Sequence, residues 1–217
     1  MIKVILADDH HLVRQGIRTL LEQSSDIEVI AEAKNGHEAV ELAERLRPDV
    51  LVMDIGMPRL NGVQAAERIR ALELSTKVVI LSMYSDETLI RQALSSGAWA
   101  YLLKHSVSTD LLLAIRAAQK NQVYLSPFVA QIVKGKAGMI SETGAAAGGV
   151  EQLSSAEREV LQLLAEGYSH FNIAQAMNLS VETVGIHRDN LTAKLETPDL
   201  AGLIRIALKH GLIFLDV

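Results

Sequence analysis

Over the first 123 positions, short and largely apolar runs alternate with longer stretches of a different rhythm. The runs fall at residues 4–7, 29–33, 50–53, 78–81 and 98–102. Between them, segments such as 12–21, 39–46 and 111–118 place apolar residues three and four positions apart, the spacing of one helix face. Runs apolar on both faces, alternating with helices, predict a five-stranded parallel sheet covered on each side, an α/β doubly wound architecture. Ligands of such sheets sit beyond the carboxyl ends of the strands.

The pattern changes after residue 123. Positions 124–134 predict one short further helix. Positions 135–149 are rich in Gly, Ala and Ser with no hydrophobic period, as expected of a flexible connection. From Leu153 onward no strand pattern remains, and helices are expected at 155–165, 169–177, 180–195 and 199–210. Ser154 or Ser155, Ser180 and Asp199 suit N-caps, and Gly167 and Gly211 suit helix ends. The expected organisation is therefore an α/β domain at 1–123, a linker with a short helix at 124–150, and a small all-α domain at 151–217.

Composition narrows the function classes. The 217 residues, 49% of them hydrophobic, suffice for two cores. With no cysteine, disulfides, thiolate metal sites and cysteine nucleophiles are excluded. The apolar start runs into Asp8 and Asp9 too soon for a signal peptide or a membrane span, so a cytoplasmic protein with no membrane partner is expected. The net charge of −5 gives no general attraction to nucleic acid, which makes the charge of each domain important.

Chemistry gathers at the expected strand ends. Asp8 and Asp9 follow the first strand, Asp54 the third, Ser82 the fourth and Lys104 the fifth. A single acid after a strand is ordinarily the cap of the next helix. Three at one sheet edge repel one another and call for a hard, oxygen-seeking cation, which Mg2+ satisfies. Lys104 and Ser82 are then placed to hold the oxygens of a phosphoryl group.

The set Asp8-Asp9, Asp54-Ile55-Gly56-Met57-Pro58 with Gly62, Ser82, and Tyr101 with Lys104 resembles the receiver domain of two-component response regulators, over roughly residues 1–123. The resemblance implies a flavodoxin-like fold and a phosphoryl group accepted by Asp54 from the phosphohistidine of a sensor histidine kinase. It implies direct metal ligation by Asp9, Asp54 and the Gly56 carbonyl, with Asp8 acting through water, and phosphoryl contacts from Lys104 and Ser82. It further implies a switch in which the Ser82 hydroxyl and the Tyr101 ring move together. Catalysis by the receiver is confined to its own phosphoryl transfer and dephosphorylation. His10 and His11 are expected to have no role, because neighbours on a helix point in different directions. An aspartyl-phosphate phosphatase, the enzyme alternative, places its nucleophile after the first strand rather than the third.

The stretch from Leu153 to Leu161, with Ile173-Ala174, Leu179 to Val184, His187-Arg188, Lys194-Leu195 and Gly211-Leu212-Ile213, resembles the helix-turn-helix domain of LuxR/NarL-type (NarL/FixJ) regulators. Val184, His187, Leu191 and Leu195 form the packing stripe of its third helix. The resemblance implies that the opposite face enters the major groove of double-stranded DNA, and the residues expected there are Thr183, Gly185, Ile186, Arg188, Asn190 and Lys194. A homodimer formed on phosphorylation would match two half-sites. Residues 151–217, however, hold five Lys or Arg against nine acids. Glu182 and Asp189 stand on the face meant for DNA, so a protein-interaction or dimerisation module is the alternative.

Overall fold

The computed structural model describes residues 1–134 and 149–214. The chain divides into two compact units, Met1–Ile140 and Ser141–Val217. The expected flexible connection at 135–149 lies, but for its last residue, outside the described residues.

In the first unit β1 (Ile2–Ala7), β2 (Ile27–Ala33), β3 (Val50–Asp54), β4 (Lys77–Ser82) and β5 (Ala98–Leu103) alternate with α1 (His11–Glu22), α2 (Gly36–Leu46), α3 (Gly62–Ala71), α4 (Glu87–Ser95) and α5 (Val107–Gln119). The sheet holds six strands rather than five, in the order β2-β1-β3-β4-β5-β6, and every pairing is parallel. The added β6 is only Tyr124–Leu125, beside Ala100 and Tyr101. A two-residue strand is too short to show a period of its own, so nothing in the apolar pattern announced it.

One face of the sheet is built from alternate residues. Val4, Leu6, Val50, Val52, Val79, Leu81, Ala100 and Leu102 pack with Ile17 and Leu21 of α1 and with Leu111, Ala114, Ile115 and Ala118 of α5. The intervening Ile5, Leu51, Met53, Ile80 and Tyr101 are equally buried, beneath the helices of the other face. Burial on both faces explains why the strands read as continuous apolar runs. The edge strand β2 is only half-buried and can carry Glu28 and Glu32.

The short helix expected after residue 123 is α6 (Pro127–Lys134), anchored by the buried Val129. Together with β6 it belongs to the first unit instead of hanging free: Arg91 of α4 donates to the Val133 carbonyl at 3.1 Å.

The second unit is helical: α7 (Ser155–Ala165), α8 (His170–Met177), α9 (Val181–Lys194) and α10 (Leu200–Lys209). Each is capped by a side chain that accepts from the third backbone N–H beyond it, namely Ser154, Ser169, Ser180 and Asp199. At α7 the arrangement is reciprocal, because Glu157 also accepts from the Ser154 N–H at 2.8 Å, completing a capping box. Gly167 and Gly211 end their helices with φ of +87° and +65°, a region open to glycine at little cost. Val160, Leu161, Leu163, Ile173, Val184, Leu191, Leu195, Leu203 and Ala207 close a separate core.

Candidate functional site: an acidic pocket at the sheet edge and an exposed helix

The carboxyl ends of β1, β3, β4 and β5 bring together the residues that the sequence singles out. Asp54 ends β3 and is 4% exposed, and Asp8, just past β1, is 2% exposed. Lys104, in a single 3₁₀ turn after β5, reaches both: its Nζ lies 2.9 Å from Asp8 Oδ2 and 3.1 Å from Asp54 Oδ2. Asp9 is more open, with its side chain 30% exposed. Gly62, at the start of α3, lets the helix close over the site. A Cβ there would come 2.5 Å from the Asp54 carbonyl oxygen.

The electrostatics are under-compensated. Burial pushes the Asp54 carboxyl up to about 6, and the nearby Asp8 and Asp9 push the same way, against the downward pull of Lys104. Burial alone would lower Lys104, but Asp54 and Asp8 reverse that and hold its ammonium charged. Asp8 and Asp54 thus share one ammonium, and the Asp9 carboxylate adds a third negative charge beside them. The ligand atoms of Asp8, Asp9, His10 and Asp54 all lie within 4.8 Å of one another. A mostly oxygen donor set with excess negative charge is the set a small divalent cation requires.

At the positions expected to form a switch, Ser82 is fully buried, and its Oγ accepts from the Tyr84 N–H at 3.0 Å. The Tyr101 ring is also fully buried, and its hydroxyl donates to the Tyr84 carbonyl at 2.7 Å. Burial pushes that phenol up to about 12. Tyr84 therefore ties the two positions together. It lies in the loop before α4, two residues after Ser82.

One residue of the site lacked a signal in the sequence, and a second was singled out there only to be set aside. Arg14 of α1 is 5% exposed. It donates from Nη1 to the Asp8 carbonyl at 2.6 Å and from Nε to Glu32 Oε2 at 2.7 Å. The other Glu32 oxygen accepts from Arg18, and both arginines hold the Glu32 carboxyl below its ordinary range. This brace fixes the turn that carries both acids. The second is His10. It is not on the helix: α1 begins at His11, and His10 is its extended N-cap with no side-chain cap bond. The reasoning from neighbouring helix positions therefore does not apply to it.

In the second unit, the α9 stripe lies as expected, with Val184, Leu191 and Leu195 buried and His187 half-buried. Glu182, Ile186, Arg188, Asp189 and Asn190 are exposed, Ile186 by 59%. Gly185 faces open space. Two of the expected contact residues are engaged locally. The Thr183 hydroxyl meets Ser180 Oγ at 3.0 Å, and Lys194 Nζ grips both oxygens of the buried Glu157, at 2.8 and 2.7 Å.

Known proteins share this arrangement. Residues 4–116 match the family model of the response regulator receiver domain, and residues 151–207 match that of the luxR family of bacterial regulatory proteins. The chain belongs to the response regulators. The response regulator protein VraR of Staphylococcus saprophyticus is 37% identical over 212 residues, covering 98% of this regulator and 99% of VraR. The signal receiver domain of the putative response regulator NarL from Mycobacterium tuberculosis covers 56% of this regulator and 98% of its own chain, with 36% identity and a TM-score of 0.55. The response regulator RcsB in its DNA complex covers 96% and 98%, with 27% identity and a TM-score of 0.60. The regulator is thus a receiver joined to a luxR-type helix-turn-helix domain and is not a conventional enzyme. Among its described residues no helix is long and apolar enough to cross a membrane.

Proposed function

We propose that this regulator works in the cytoplasm, where it accepts a phosphoryl group on Asp54 from a sensor histidine kinase and uses it to control DNA binding by its second unit. The observation that carries the reading is Lys104 bridging Asp8 and Asp54 at the sheet edge, with Asp9 beside them. In the transfer, an Asp54 carboxylate oxygen forms a bond to phosphorus as the bond to the kinase imidazole nitrogen breaks, and the imidazole leaves with the electron pair. Mg2+, held by Asp9, Asp54 and the Gly56 carbonyl with Asp8 behind them, would neutralise charge on the phosphoryl oxygens. The residues do the rest. Lys104 exchanges Asp54 for a phosphoryl oxygen, and Ser82 gives up its Tyr84 contact to donate to another. Tyr101 then holds or releases the Tyr84 carbonyl, passing the change to α4. The same groups admit water for dephosphorylation.

The domain plan that follows is a receiver at 1–123, a linker at 124–150 whose first eleven residues are built onto the receiver, and a DNA-binding domain at 151–217. On α9, Thr183, Gly185, Ile186 and Asn190 lie on the face that enters the major groove, with Thr183 or Asn190 reaching base edges and Arg188 or Lys194 reaching phosphates of a duplex bound by a phosphorylated homodimer. Two observations favour a second reading, a protein-interaction module: the acid excess of residues 151–217, and the engagement of Lys194 by Glu157. The test of the phosphoacceptor is incubation with acetyl phosphate and Mg2+ followed by intact mass. One phosphoryl group is expected on the wild type and none on Asp54→Ala. Equal labelling of both proteins overturns the assignment.

A further inference from the structure

We infer that His10 is an additional ligand of the divalent cation held by Asp9, Asp54 and the Gly56 carbonyl, and that its imidazole nitrogen opens the site to first-row transition ions. The inference rests on the metal reading of the site given above.

The backbone makes it possible. His10 has φ of −82° and ψ of 107°, an extended conformation, and its side chain makes no capping bond, so the helix does not use the imidazole. Instead Nδ1 turns toward the acids, 3.0 Å from Asp9 Oδ1 and 3.4 Å from Asp8 Oδ1. Two adjacent ligands of an octahedral ion, each about 2.1 Å from the metal, stand about 3.0 Å apart. The His10–Asp9 separation has that length, so a cation can sit against the imidazole nitrogen and the Asp9 carboxylate together. The imidazole is 56% exposed, so it adjusts to an arriving ion without repacking the core.

The donor set then decides the ion. Carboxylate and carbonyl oxygens suit Mg2+, which gains little from an imidazole nitrogen. First-row ions gain from nitrogen, with affinities rising from Mn2+ through Co2+ and Ni2+. A site with His10 as ligand discriminates in favour of these ions, and one in which His10 only donates a hydrogen bond to the carboxylates does not.

Mn2+ is the probe, because a coordinated nitrogen leaves a 14N modulation in its electron spin echo. The full-length wild type loaded with Mn2+ is expected to show that modulation. His10→Ala should lose it and bind Mn2+ about tenfold more weakly, with Mg2+ affinity changed less than about twofold. His11→Ala, on the exposed first turn of α1, should keep it. Mn2+ that binds the wild type in an Asp9-dependent manner but shows no 14N modulation overturns the role of His10 and leaves the metal reading intact. Mn2+ and Mg2+ binding that ignores Asp9→Ala removes the metal reading itself. The wild-type spectrum decides the question even if a variant folds poorly.

Discussion

The pocket at the sheet edge and the exposed face of α9 bring together residues of similar chemistry under opposite conditions. In the pocket, Asp8 and Asp54 are almost wholly removed from water and share one lysine, so their charges interact strongly and their positions are fixed by Lys104 and Arg14. On α9, Glu182, Arg188 and Asp189 stand in solvent, where screening leaves each charge nearly independent. Buried groups of this kind carry one chemistry dictated by their geometry. Exposed ones acquire a role only when a partner arrives, and an acid there weakens the counterion release on which binding to DNA depends.

The contrast can be broken from the pocket side first. Lys104→Met leaves two buried carboxylates without their cation and should cost about 3 to 5 kcal/mol at pH 8 in metal-free buffer, by chemical denaturation. The loss should shrink on acidification, as Asp54 takes up a proton. If the loss is the same at pH 5 and pH 8, the charge of Asp54 is not its source.

Asp54→Asn tests the same balance with the opposite sign. Asp54 is pushed up to about 6 from an ordinary value of 3.8, so between those values the folded protein binds the proton better than the unfolded chain does. Ionised Asp54 therefore costs stability, a cost that is complete above about pH 6 and gone below about pH 4. The variant should be more stable by about 3 kcal/mol at pH 8 without metal and no more stable at pH 4. Stability profiles that run parallel across this range would contradict the burial argument.

On the helical side the effects are smaller. Glu157→Ala removes the capping box of α7 and the anchor of Lys194, and should cost about 2 kcal/mol in thermal unfolding. Burial raises Glu157, but Lys194 and the Ser154 hydrogen bonds outweigh it and hold the carboxyl below its ordinary range. The contribution is therefore present at neutral pH and lost as the pH falls through that lowered value. Gly185→Ala should stabilise by about 1 kcal/mol, since the new methyl meets nothing within 4 Å. A loss of stability there would mean that α9 is packed in a way its exposure does not suggest.

The same contrast explains what the sequence revealed. Strands buried on both faces show as apolar runs, and residues placed by strand ends inherit their position from topology, so Asp8, Asp54, Ser82 and Lys104 could be brought together without coordinates. Caps were legible at Ser180 and Asp199, and to within one residue at Ser154, because a short polar side chain before a helical period has few other uses. Contacts that depend on where one particular side chain turns were not legible. Arg14 looks like any helix arginine until its guanidinium is found on the Asp8 carbonyl, and His10 was set aside by treating it as one of two neighbours on a helix, whereas it is the extended residue before α1. The two-residue β6 carries no period, and the engagement of Lys194 by Glu157 spans 37 residues that no local pattern connects.

The central claim is that phosphorylation of Asp54 governs DNA binding. Its most direct test is selection from a pool of random duplexes at several salt concentrations, with and without beryllofluoride and Mg2+, using the wild type and Asp54→Ala. A two-fold motif should be enriched by the wild type, with binding strengthened by beryllofluoride only when Asp54 is present. If no motif emerges in either state while beryllofluoride still drives dimerisation, the DNA-reading role is contradicted and α9 serves a protein partner instead.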